Sequence, residues 1–128
     1  MRIFRNKAFT RFAKKAGIGD AMLCEAIFEA ERGLIAADLG GGVIKQRIAR
    51  PGQGKSGGFR TLILFRLGMR SIFVHGFAKS EKENIGQNEL VALRKLAAEL
   101  LTLDDGDMAR VVASGILTEV ICDAQTVQ

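Results

Sequence analysis

The chain of 128 residues has no Trp and no Tyr, a single Pro, a single His and only two Cys. Without Tyr it lacks one common catalytic acid and one common stacking group, and its eight aromatic residues are all Phe. Cys24 and Cys122 are too few for a secreted disulfide scaffold of this length and have no metal-ligand spacing. They are expected to be thiols in a reducing cytosol. No segment approaches the roughly 20 apolar residues of a membrane-spanning helix. The N-terminal stretch from Met1 to Lys7 lacks the apolar core of a signal peptide. The expectation is a cytoplasmic protein with no membrane partner. The most telling absence is of negative charge: from Leu39 to Ser80 there is not one Asp or Glu.

Eight Lys/Arg fill that acid-free stretch: Lys45, Arg47, Arg50, Lys55, Arg60, Arg66, Arg70 and Lys79. The other eleven share the rest of the chain with all fourteen acids, so the formal charge of +5 is concentrated in the middle. Such a distribution is the electrostatic footprint of a polyanion site. The cations fall mainly on expected strands and loops rather than on one amphipathic basic helix, which favours nucleic acid over a membrane surface. A hydrophobic content of 48% and a charged content of 26% are those of a soluble globular protein. The length suffices for one core, and one domain over residues 1–128 is expected.

Asn6 is an N-cap for a helix whose Phe9, Phe12, Ala13 and Ala16 share a face until Gly17 stops it. A second helix opens near Asp20 with Leu23, Ala26, Ile27 and Ala30 inward and ends by Gly33. The two make an α-hairpin, and residues 1–5 are suited to a small edge strand before it. After Gly40-Gly41-Gly42 the period changes to two. Val43 to Ala49, Phe59 to Arg66 and Ser71 to Ala78 then read as an antiparallel meander, with a loop at Pro51 to Gly54. A third helix starts around Asn84 to Gly86. Its stripe of Leu90, Leu93, Ala97, Leu100 and Leu101 is expected to cover one face of the sheet. The acidic run from Asp104 to Asp107 reads as a turn and N-cap for a short helix over 108–114, and Ile116 to Cys122 as a last strand. The fold class expected is α+β, with a helical hairpin packed on a twisted antiparallel sheet and a further C-terminal helix.

Gly54-Lys55-Ser56 resembles the end of a P-loop, but position 49 is Ala where that pattern needs Gly, and the segment leads into a strand instead of a helix. Glycines at 52, 54, 57 and 58 are the residue type for backbone that approaches a phosphate closely. Pairing of the two following strands as a hairpin brings Arg60 near Lys79, with Lys55 on the preceding loop. Arg offers a planar clamp for phosphate oxygens, and a Lys of lowered pKa can exchange a proton. That set would need no metal, thiol, carboxylate or cofactor. His75, placed by alternation on one face with Phe73 and Phe77, has the surroundings of a packed residue and the chemistry of a proton carrier. The acidic run is not an EF-hand, since the downstream Glu is missing.

The run Lys45-Gln-Arg-Ile-Ala-Arg-Pro-Gly-Gln-Gly-Lys-Ser-Gly-Gly-Phe-Arg-Thr61, followed by Phe73-Val-His-Gly-Phe-Ala-Lys-Ser-Glu-Lys-Glu-Asn-Ile85, resembles the RelE/ParE superfamily of bacterial toxins, in its HigB-like branch. The resemblance extends from about Lys7 through the third helix. It implies a ribosome-dependent mRNA endonuclease in which a ribose 2′-OH attacks the adjacent phosphate and leaves a 2′,3′-cyclic phosphate. By position it implies Lys55, Arg60 and Lys79 as the catalytic cations. It implies Lys45, Arg47 and Arg50 as the surface that contacts RNA and the ribosome, and a cognate antitoxin of helix-turn-helix type as partner. Several relatives use a Tyr near the chain's end, which this chain lacks, so the resemblance implies either that Lys55 or His75 takes the proton transfer or that catalysis is weak. The segment from 103 to 128 exceeds the minimal core of the resemblance and carries no assigned role. The same superfamily includes ParE-like gyrase inhibitors that cleave nothing, and fold alone does not separate the two. A plain RNA-binding module finds less support, since the Phe residues read as core.

Overall fold

The computed structural model describes residues 1–50, 54–78 and 85–122, with only the backbone of 54–56. Along the chain run β1 (Arg2–Asn6), α1 (Lys7–Ala16), α2 (Asp20–Glu31), β2 (Ala37–Gly40), β3 (Val43–Arg50), β4 (Gly54–Arg66), β5 (Arg70–Ala78), α3 (Gln87–Leu100), α4 (Asp105–Ala113) and β6 (Leu117–Val120). The strands form one sheet in the order β2-β3-β4-β5-β1-β6. β3, β4 and β5 are the expected antiparallel meander.

The sheet as a whole is mixed and not antiparallel, because β1 pairs parallel with β5, from Arg2 opposite Arg70 to Arg5 opposite Phe73. Nor is β1 an edge strand: β6 closes its other side. Ile3 and Phe4, adjacent and so on opposite faces, are both buried, which is the composition of a strand covered on both sides. The short strand β2 lies within a stretch that alternation did not single out.

Helix boundaries follow their caps. The Asn6 side chain accepts from the Phe9 N–H at 2.8 Å, and Gly17 ends α1 with a left-handed φ of 73°. The Asp104 carboxylate accepts from the Asp107 N–H at 2.8 Å and starts α4 there. On one side of the sheet Phe9, Ala13, Leu23, Ala26, Ile27 and Ala30 share a core with Ile3, Ile44, Ile48, Phe59, Ile63 and Phe73. On the other side α3 supplies Ala97 and its flanking leucines, as its stripe implied. They join Val43, Leu62, Leu64, Ile72 and Val74, with Met108 and Leu117 from the chain's end. Among the described residues no helix is long and apolar enough to cross a membrane.

Two of the eight cations of the acid-free stretch serve the fold. Arg70 is buried, and its Nη1 donates to the carbonyls of Leu100 and Leu103 at 2.8 and 2.9 Å, while Arg66 reaches that of Leu101 at 3.4 Å. Both bond carbonyls at and just past the C-terminal end of α3, where helical partners run out. Replacing Arg70 by Met is expected to cost about 1–3 kcal/mol, the desolvation of those carbonyls. Urea unfolding monitored by circular dichroism measures it.

The expectation of two free thiols is overturned. Cys24 and Cys122 form a disulfide across 98 residues of sequence. Cys24 is fully buried on the inner side of α2, and Cys122 follows β6 into the same apolar cluster. No local spacing signals this pair, since it exists only because β6 adds to β1 at the end of the sheet beside that cluster.

Candidate active site

The register of the meander arranges the sequence-derived site residues into rows. Arg47 on β3 pairs with Arg60 on β4, which pairs with Phe77 on β5. One row along, Lys45 pairs with Leu62, and Leu62 with His75. Leu62 belongs to the core under α3, so both rows face that side of the sheet. Directly paired side chains have Cβ atoms about 5 Å apart, so Arg47 and Arg60 adjoin, while Lys45 and His75 stand about 10 Å apart at normal strand spacing.

Arg60 is only 8% exposed. Burial pushes its pKa below the ordinary guanidinium value, and the charge of Arg47 pushes in the same direction. Arg47 itself is exposed. Two like charges directly opposite on a sheet destabilise it, and an anion seated over the pair would relieve that repulsion.

Two bulges re-aim residues that simple alternation misplaces. In β5 the pairing steps from Leu62–His75 to Ile63–Phe73, which leaves Val74 as an extra residue. Phe73 therefore packs among the helices, its ring 5.0 Å from that of Phe9. A Cβ on Gly76 would lie 2.3 Å from the Phe12 ring, so this residue also faces α1. His75 thus shares a face with Phe77, 5.8 Å away between centroids, and not with Phe73 as alternation suggests. It is half-buried.

In β4 the step is larger. Ile48 pairs with Phe59 and Arg50 with Gly54, so residues 55–58 together oppose Ala49 alone. The segment expected to be a loop before the strand is a wide bulge within it, and Lys55 has its backbone there. Lys79, next after the last residue of β5, lies outside the described residues. Arg50 departs from Lys45 and Arg47: its guanidinium sits 4.6 Å over the Phe59 ring, on the α1 side of the sheet. Buried Gln46, which the sequence did not flag, fixes β3 beneath the site. Its Nε2 donates to the carbonyls of Ala26 and Leu34 at 3.1 and 2.8 Å, and the Thr61 hydroxyl donates to its own carbonyl at 3.0 Å.

Compared with known families, residues 1–120 match the model of the RelE toxin of the RelE/RelB toxin–antitoxin system. The chain belongs to the RelE toxin family. No curated protein matches it. Membership implies a cognate antitoxin as partner. The match runs through α4 and β6, so the last strand of this RelE-family sheet falls within the family pattern.

The bulge of this RelE-family chain depends on Gly58. A Cβ there would lie 2.2 Å from the Ile48 carbonyl oxygen, 2.8 Å from the Arg50 nitrogen and 3.0 Å from the Ala49 Cα. All three are backbone atoms of the paired strand, which cannot swing aside as a side chain can. Gly58→Ala is expected to lower stability by about 1–3 kcal/mol, as overpacking does, and to displace the segment that carries Lys55. Thermal melts read the first effect and the salt-dependent affinity for RNA the second.

Proposed function

We propose that this RelE-family protein is a ribosome-dependent mRNA endonuclease of the HigB-like branch, a single domain over residues 1–128 that acts in the cytoplasm. The observation that carries the reading is the Arg47–Arg60 pair: two guanidinium groups from adjacent strands in one row, one of them buried, beside the glycine-rich bulge. A nuclease needs cations convergent on one phosphate, whereas an inhibitor can scatter them. In the step proposed, the ribose 2′-OH loses its proton to a base and its oxygen bonds to the adjacent phosphorus. The bond from phosphorus to the 5′ oxygen breaks, and that oxygen takes up a proton. The products are a 2′,3′-cyclic phosphate and a 5′-OH.

Arg60, held at low exposure, clamps the non-bridging oxygens as negative charge accumulates on them, where a water-poor setting makes the contact strong. Arg47 and Lys45 hold the flanking phosphates. Lys79 completes the clamp, and Lys55 or His75 moves the protons, in the absence of any Tyr. These side chains supply both the charge and the proton transfers, so the step calls for no metal. The antitoxin is proposed to be of helix-turn-helix type.

Primer extension on a message under translation in a reconstituted system tests the reading. New 5′ ends that require ribosomes, with cyclic phosphate on the matching 3′ ends, are the expected result. Absence of cleavage by a folded, growth-arresting protein, with a DNA-damage response in cells, would replace it with a ParE-like inhibitor of gyrase.

A further inference from the structure

On the side of the sheet opposite Arg60 lies a cavity of about 570 Å³ lined by Phe12, Lys15, Ala16, Arg50 and Phe59. Two of its lining residues are aromatic, Phe12 and Phe59. Arg50 lies over the Phe59 ring at 4.6 Å, and Phe12 meets the same ring edge-on at 5.6 Å. Its rim is cationic. Lys15 belongs to α1, whose exposed residues include Lys7, Arg11, Lys14 and Lys15, and the helix contains no acid. The α1 cations lie outside the acid-free stretch, so charge counting along the chain had passed over them.

We infer that this cavity is a subsite for one unpaired nucleobase of single-stranded RNA, with the α1 cations on the flanking phosphates. The inference rests on the reading of the protein as RNA-directed. Bases stack on aromatic rings and on the plane of Arg alike, and the cavity lining offers both kinds of group, the Arg50 guanidinium and the Phe12 and Phe59 rings. Phosphates need cations nearby and tolerate no neighbouring carboxylates, which is the composition of α1. Arg50 pairs with Gly54 at the mouth of the bulge, so a strand leaving the Arg60 face around this end of the sheet meets the cavity next.

The test uses the full chain without ribosomes and a single-stranded RNA of about ten nucleotides, within the span such surfaces cover, with 2-aminopurine at one position. Wild type is expected to quench the 2-aminopurine as it stacks. Arg50→Gln is expected to bind roughly tenfold more weakly, with the quenching lost. Arg50→Lys is expected to lose the quenching at an unchanged salt slope, since it keeps the charge and removes the plane. Lys15→Ala is expected to keep the quenching and reduce the slope of log affinity against log salt by about 0.7, one phosphate contact on a single strand. Thermal melts confirm that each variant is folded. Binding without quenching, or an Arg50→Gln protein that binds and quenches as wild type does, overturns the inference. So does a protein that takes no RNA but binds a Glu-rich peptide through Lys15 and Arg50, which would assign the cavity to an acidic protein partner. Quenching that persists in a protein unable to cleave translated message would strike the endonuclease reading and leave the subsite standing.

Discussion

Arg60→Ala is expected to slow cleavage of translated message by about 10²–10³-fold, the loss seen when one preorganised charge-stabilising donor is removed. That corresponds to roughly 3–4 kcal/mol of transition-state stabilisation. The size follows from where Arg60 sits. At 8% exposure its charge is poorly screened by water, and the like charge of Arg47 lies beside it. Arg47, exposed at the edge of the same row, is expected to cost less, about tenfold, as a screened contact does. Arg60→Lys is expected to recover only part of the rate, because an ammonium cannot reproduce the planar two-pronged contact.

Stability is expected to respond differently from rate. Burial and a like-charged neighbour both lower the Arg60 pKa, so the charged form is the one the fold disfavours, at every pH below that value. Arg60→Met, which keeps the bulk and removes the charge, is therefore expected to remain folded while cleaving as poorly as Arg60→Ala. Paired melts and single-turnover cleavage decide this. A midpoint many degrees lower would make Arg60 a structural residue and the lost rate a symptom of unfolding.

What was legible in the sequence was local. Asn6, Gly17 and Asp104 mark helix ends because capping involves residues only three or four apart. The Ile44–Ile48 alternation marks β3 because the pleat has period two. The parallel pairing of β1 with β5 was not legible, since it joins residues nearly seventy positions apart and leaves no local trace beyond the adjacent apolar pair Ile3 and Phe4. Bulges defeated the face assignment of His75, because a single extra residue reverses everything beyond it. The acid-free stretch drew attention to Arg60 and Arg47, yet charge counting could not tell them from Arg66 and Arg70, whose guanidinium groups bond carbonyls at the end of α3. Arg47 was placed on an outer RNA-contacting surface, and only the β3–β4 register makes it the immediate neighbour of Arg60.

Reduction of the Cys24–Cys122 bond is expected to lower the unfolding free energy by about 2–5 kcal/mol, because a cross-link over a loop of this length removes much of the unfolded chain's freedom. The loop spans 98 residues and ties the end of β6 to α2. Guanidinium unfolding with and without dithiothreitol measures the difference. Cys122→Ser separates the bond from the packing: Cys122 is half-buried whereas Cys24 is fully buried, so the Ser variant is expected to melt where the reduced wild type does. Identical transitions in oxidised and reduced protein would mean that the bond contributes nothing. Cleavage is expected to respond far less than stability. β6 is separated from β4 by β5 and β1, while Arg47 and Arg60 are held by the β3–β4 pairing and by Gln46, none of which involves the sulfurs.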